Sequence, residues 1–70
     1  TNERLNIKGR GVKIKLVNLI DNSGRQVFTQ LYPDNPSRVH VNLTTIPIGF
    51  YYVRVETDKG VVIKTLIRNP

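Results

Sequence analysis

Residues 46–67 read Ile46-Pro47-Ile48-Gly49-Phe50-Tyr51-Tyr52-Val53-Arg54-Val55-Glu56-Thr57-Asp58-Lys59-Gly60-Val61-Val62-Ile63-Lys64-Thr65-Leu66-Ile67. Pro47 and Gly49 break the chain, and the residues after them alternate with a period of two. Tyr51, Val53 and Val55 share one face of a strand, while Phe50, Tyr52, Arg54 and Glu56 share the other. The first set is the expected core. Thr57, Asp58, Lys59 and Gly60 then combine a side chain able to bond its own backbone with a glycine free to take positive φ, so residues 50–57 and 61–68 read as a hairpin. Within 61–68, Val61 and Ile63 lie opposite in parity to Val62 and Leu66, which implies either a bulge near Thr65 or a strand covered on both faces.

The same grammar runs back to the start of the chain. Short segments rich in Val, Ile and Leu at residues 4–8, 12–20, 25–31 and 38–43 are separated by Gly, Pro, Asn and Asp, and no window carries the apolar spacing of an amphipathic helix. That pattern predicts an all-β sandwich, with Pro47 and Gly49 marking where the chain crosses between sheets. In 38–43, Val39, Val41 and Leu43 alternate with Arg38, His40 and Asn42, so His40 is expected in solvent. Val12, Ile14 and Leu16 share one parity and Val17 and Leu19 the other, which implies either a bulge near Leu16 or a strand covered on both faces. Asp21, Asn22, Ser23 and Gly24 suit a tight hairpin; Pro33, Asp34, Asn35 and Pro36 suit a stiff loop, since each proline fixes its φ and biases the residue before it toward extended geometry. Gly9, Arg10 and Gly11 read most simply as a hairpin tip.

With 70 residues the chain has room for one domain, residues 1–70, with one small core. A domain of this size buries only about 60% of the surface its unfolded form exposes. It has no cysteine, so stability rests on strand pairing and packing. No stretch approaches the roughly 20 apolar residues of a membrane helix, and the first residues lack a signal-peptide pattern, so a water-soluble domain is expected, with any export address elsewhere. The 11 Lys and Arg against 5 Asp and Glu give a formal charge of +6, which favours contact with phosphates, anionic glycans or acidic protein surfaces. Lys8, Arg10, Lys13 and Lys15 concentrate that charge, with Lys13 and Lys15 expected on one strand face.

The inventory for catalysis is thin. His40 is the one histidine, without thiol or second imidazole as metal partners, so no metal or cofactor is expected. A paired-carboxylate mechanism would need two of Glu3, Asp21, Asp34, Glu56 and Asp58, but Asp21, Asp34 and Asp58 have turn roles. The Asp21-Asn22-Ser23 cluster is too poor in carboxylates for a calcium loop, and no glycine-rich phosphate loop opens a helix. No catalytic residue is assigned and an enzyme is not expected. Phe50, Tyr52 and Arg54 on one face offer a faint platform for bases, and with Tyr32 a candidate sugar surface, so an accessory module binding carbohydrate is the alternative reading.

Three motifs taken in order carry a resemblance. They are Leu19-Ile20-Asp21-Asn22-Ser23-Gly24-Arg25-Gln26-Val27, then Val41-Asn42-Leu43 running into Ile46 through Val55, then Lys64 to Ile67, and together they resemble the carboxy-terminal sorting domain of the type IX (Por) secretion system. The resemblance covers nearly the whole chain. It implies a small immunoglobulin-like antiparallel β-sandwich of six to seven strands, non-catalytic, at the tail of a larger secreted protein. It also implies the route: a separate signal takes the cargo across the inner membrane of a Gram-negative bacterium, an outer-membrane translocon recognises the folded domain in the periplasm, and a sortase-like protease removes it as cargo reaches the cell surface or the extracellular space. On that implication Asp21, Gly24, Pro47, Gly49 and Gly60 keep the turns, and Tyr51, Val53 and Val55 fill the core. Lys64, Leu66, Ile67 and Arg68 belong to the terminal recognition strand, Lys64 and Arg68 as charges and Leu66 and Ile67 as fillers of a partner's pockets. Strand addition to an exposed sheet edge is the physical mode that suits it. A monomer, or a weak edge-paired dimer, is expected. Two departures from the family pattern stand out: the Tyr-Pro-Asn-Pro type of opening usual before a segment like Leu5-Asn6-Ile7 is trimmed or missing, and the chain ends Asn69-Pro70.

Overall fold

The computed structural model describes residues 4–68 of the 70. Thr1, Asn2, Glu3, Asn69 and Pro70 lie outside the described residues, and with them Glu3 as a candidate carboxylate and the Asn69-Pro70 ending. Six strands follow in order: β1 (Arg4–Lys8), β2 (Ile14–Asp21), β3 (Gln26–Leu31), β4 (Arg38–Asn42), β5 (Gly49–Thr57) and β6 (Gly60–Arg68), with no helix among the described residues. β1 pairs with β4, and β3-β2-β5-β6 form a second sheet, every pair antiparallel. This order matches strands B and E of an immunoglobulin sandwich facing C′, C, F and G. The fold is thus the small antiparallel sandwich the alternation predicted, with six strands.

One cluster of buried side chains joins the sheets. Val39, Val41 and Leu43 come from the β4 side and Ile14, Val17, Leu19, Tyr51, Val53, Val55 and Leu66 from the larger sheet, with Leu5 and Ile7 of β1 packed against them. Tyr51, Val53 and Val55 are core, as their parity predicts. The Tyr51 hydroxyl donates to the Pro47 carbonyl at 2.6 Å. A tyrosine at the start of β5 thereby clamps the crossover that delivers the strand, much as the tyrosine corner does in immunoglobulin sandwiches.

Three expectations resolve differently from one another. In β2 the register shifts between Ile14 and Leu16, a bulge that turns Ile14 to the same buried face as Val17 and Leu19. In β6 the register against β5 runs unbroken from Gly49↔Arg68 to Thr57↔Gly60, so there is no bulge near Thr65. The mixed parity there has another cause: β6 is an edge strand whose apolar side chains, Leu66 excepted, stand exposed on both faces. Gly9, Arg10 and Gly11 form no hairpin tip, because β1 pairs with β4, and residues 9–13 carry the chain across to the other sheet. A hairpin and a short crossover share the same local signals; only the partner of β1 separates them. The crossover is stitched to its neighbour by Gly9 N–H to the Ser37 carbonyl at 2.7 Å and Ile14 N–H to the Pro36 carbonyl at 2.8 Å.

In the 33–36 loop, Asn35 stands in the left-handed region at φ 50°, against the extended bias a following proline imposes. Its N–H bonds the Tyr32 carbonyl at 3.0 Å, and Asn is among the few side chains that tolerate this conformation. Asn18, on the outer face of central β2, is buried at 4% exposure, and its amide donates to Thr29 Oγ1 at 2.8 Å. A buried amide bonded in this way avoids the cost of an unmet donor.

Candidate functional site

β6 lies at the edge of the larger sheet because its hairpin partner β5 occupies one side and, among the described residues, no strand occupies the other. Nine residues of extended chain offer about 30 Å of edge, along which alternate N–H and C=O groups point away from β5. Val61, Ile63 and Ile67 lie on the outer face, opposite Glu56, Arg54 and Phe50, and are 51%, 62% and 57% exposed. Val62, Lys64 and Leu66 take the inner face, opposite Val55, Val53 and Tyr51. An exposed aliphatic edge is the kind of surface that pairs with another strand.

The four residues assigned to the recognition strand share β6 but not a surface. Lys64 is exposed at the inner margin and Ile67 on the outer face. Leu66 is 5% exposed within the core cluster, paired with Tyr51, and anchors the strand. Arg68 donates from Nε to the Leu43 carbonyl at 3.2 Å, tying the end of β6 to the segment after β4. Beside them Phe50 and Tyr52 meet edge to face, centroids 5.5 Å apart at 82°, and Arg54 pairs with Glu56.

The turn residues hold the two hairpins. Asp21 Oδ1 accepts from the Ser23 N–H (3.0 Å), the Ser23 hydroxyl (2.7 Å) and the Arg25 N–H (2.9 Å), and Gly24 follows at φ 91°. Gly60, at φ 131°, occupies a conformation that side chains resist. Gly49 is different: it opens β5, paired with Arg68, without a positive φ. Pro47 supplies the carbonyl bound by Tyr51.

Asp21 is held below the ordinary aspartate range, chiefly by the Arg25 backbone hydrogen bond and then by the Ser23 side chain. Because the folded value is depressed, this contribution to stability is present above the unfolded value and is lost as pH falls through the folded one. The difference in melting temperature between wild type and Asp21→Ala is expected to shrink on acidification below the ordinary aspartate range. Thermal melts by circular dichroism across that range check it; a constant difference would remove the carboxylate's charge from the account.

Among the described residues no three of His, Asp and Glu gather into a group that could hold a metal ion. His40 is exposed on β4 and its Nδ1 meets Asn6 Oδ1. Asp58 Oδ1 accepts from the Lys13 N–H at 2.9 Å, binding the β1–β2 crossover to the β5–β6 turn, and Glu56 faces Arg54. Tyr32 packs against the core, away from the outer-face position of Phe50 and Tyr52, and those two rings are perpendicular, so the three do not compose a flat sugar platform. Lys13 and Lys15 are exposed on either side of buried Ile14.

A cleft of roughly 760 Å³ opens between β1 and β6, invisible to a reading of the sequence because strands at opposite ends of the chain form it. The model of one protein family, described as the secretion system C-terminal sorting domain, matches residues 1–69. No curated protein and no solved structure matches the chain.

Proposed function

The chain belongs to the C-terminal sorting domain family of the type IX (Por) secretion system, and from that premise we propose that its edge strand β6 is the element the secretion machinery reads. The family role is that of a sorting signal, implying export to the cell surface or extracellular space, with the type IX machinery and an upstream cargo as partners. In the proposed reading residues 1–70 are the tail of a larger secreted protein of a Gram-negative bacterium. The tail folds in the periplasm, engages an outer-membrane translocon, performs no reaction of its own, and is removed by a sortase-like protease.

The observation that carries the proposal is the position of β6: a nine-residue strand with one side unpaired among the described residues and Val61, Ile63 and Ile67 exposed. Strand addition there lets main-chain hydrogen bonds give affinity and alternate side chains give selectivity. Lys64 and Ile67 contact the partner, while Leu66 and Arg68 hold the strand in place. Asp21, Gly24, Pro47, Gly49 and Gly60 shape the scaffold. The test is deletion of residues 64–70 from full-length cargo, followed by fractionation: retention in the periplasm is expected, and normal surface appearance would refute the reading.

A further inference from the structure

The cleft between β1 and β6 is lined by consecutive residues of β1 and its crossover, from Leu5 to Arg10, and by Lys64 and Thr65 of β6. Consecutive residues point to alternate sides of a strand, so the cleft reaches the backbone margins of both elements as well as their inward side chains. In the sheets described, β1 pairs only with β4 and β6 only with β5. The floor is aliphatic, made by Ile7, Val55 and Val62 among others. Among the described residues the charged groups lining it are Lys8, Arg10 and Lys64, with no carboxylate, and the ion pairs are Arg25–Asp21 and Arg54–Glu56. An apolar floor, hydrogen-bonding margins and a rim of one sign define what fits.

We propose that this cleft seats an extended acidic segment of a partner protein, laid as an additional strand along β6, with aliphatic side chains on Ile7, Val55 and Val62 and carboxylates against Lys8, Arg10 and Lys64. The inference rests on the reading of β6 as a strand-accepting edge, and adds the chemistry of what arrives. Main-chain pairing supplies affinity without sequence preference, whereas the three cations select acidic over basic segments. Binding therefore weakens with salt, because the rim charges are exposed and screened.

The probe is a fluorescein-labelled peptide of alternating Glu and Val, eight residues long, titrated onto the 70-residue chain, with amide shifts recorded in parallel. Shifts at Leu5, Ile7, Val62 and Lys64, and at least tenfold weaker binding to Lys8→Glu/Arg10→Glu, are the expected results. A Lys-Val peptide of equal length should bind at least tenfold more weakly than the acidic one. Equal binding of the two peptides, no binding, or shifts confined to the outer face would overturn the inference. Concentration-dependent shifts of the same amides without peptide would assign the cleft to a second copy of the chain, and also overturn it. Lys8→Glu/Arg10→Glu leaves β6 intact, so full surface export of cargo carrying it, beside blocked export of the 64–70 deletion, would sink the acidic partner and spare the reading of β6.

Discussion

Full-length cargo carrying Ile63→Lys and Ile67→Lys is expected to accumulate inside the cell, with its surface level reduced about tenfold or more. Both side chains are more than half exposed on the outer face of β6, so neither contributes packing that the domain needs. Surface substitutions of this kind change stability by about 0.5 kcal/mol or less, and the domain should fold normally. Recognition is another matter. A side chain central to an interface costs about 2 kcal/mol or more when lost, and about 1.4 kcal/mol is already tenfold in binding. Lysine at both positions adds two charges to a face that must be desolvated on docking. Leu31→Lys on β3, at the opposite edge of the same sheet and 64% exposed, serves as the control and should leave export unchanged. Immunoblots of surface, periplasmic and medium fractions check it; wild-type export of the double variant, with the fold intact by circular dichroism, would remove β6 from recognition.

Leu19→Ala is expected to destabilise the isolated domain by about 2–5 kcal/mol. Leu19 has no solvent exposure, sits on central β2 between β3 and β5, and belongs to the cluster joining both sheets. Truncation there removes buried methyl groups and leaves a cavity that two-sided pairing of the strand prevents from collapsing. At roughly 0.05–0.15 kcal/mol per residue, a domain this small holds about 3–10 kcal/mol in all. The variant should therefore be largely unfolded at moderate temperature or melt far below wild type. Urea denaturation followed by circular dichroism measures the loss; a change under about 1 kcal/mol would mean the sheets pack less tightly than the burial of Leu19 implies.

These two substitutions divide what could be read from the chain. Tyr51, Val53 and Val55 were legible because period-two alternation states which residues share a face, whereas the mixed parity of 12–20 left the place of Leu19 open; the Asp21–Gly24 and Thr57–Gly60 turns bounded the strands through chemistry confined to four residues. Six segments emerged from those signals, close to the observed bounds. Ile63 and Leu66 were not separable in the same way. Their aliphatic composition is that of a strand buried on both faces, and a sequence carries no mark saying that a neighbour is absent from one side.

By itself, then, the sequence determined the strands, the turns, the inward set of β5 and the family to which the chain belongs, because each depends on residues adjacent along the backbone or on motifs in fixed order. The tertiary structure alone decided that Gly9-Arg10-Gly11 is a crossover, that the irregularity in β2 is a bulge while β6 is regular, that Leu66 is core and Ile67 is surface, and that Lys8, Arg10 and Lys64 rim one cleft. Each of these depends on which strand pairs with which. That choice is made by burial of the whole cluster at once, and residues at opposite ends of the chain become neighbours only after it has been made.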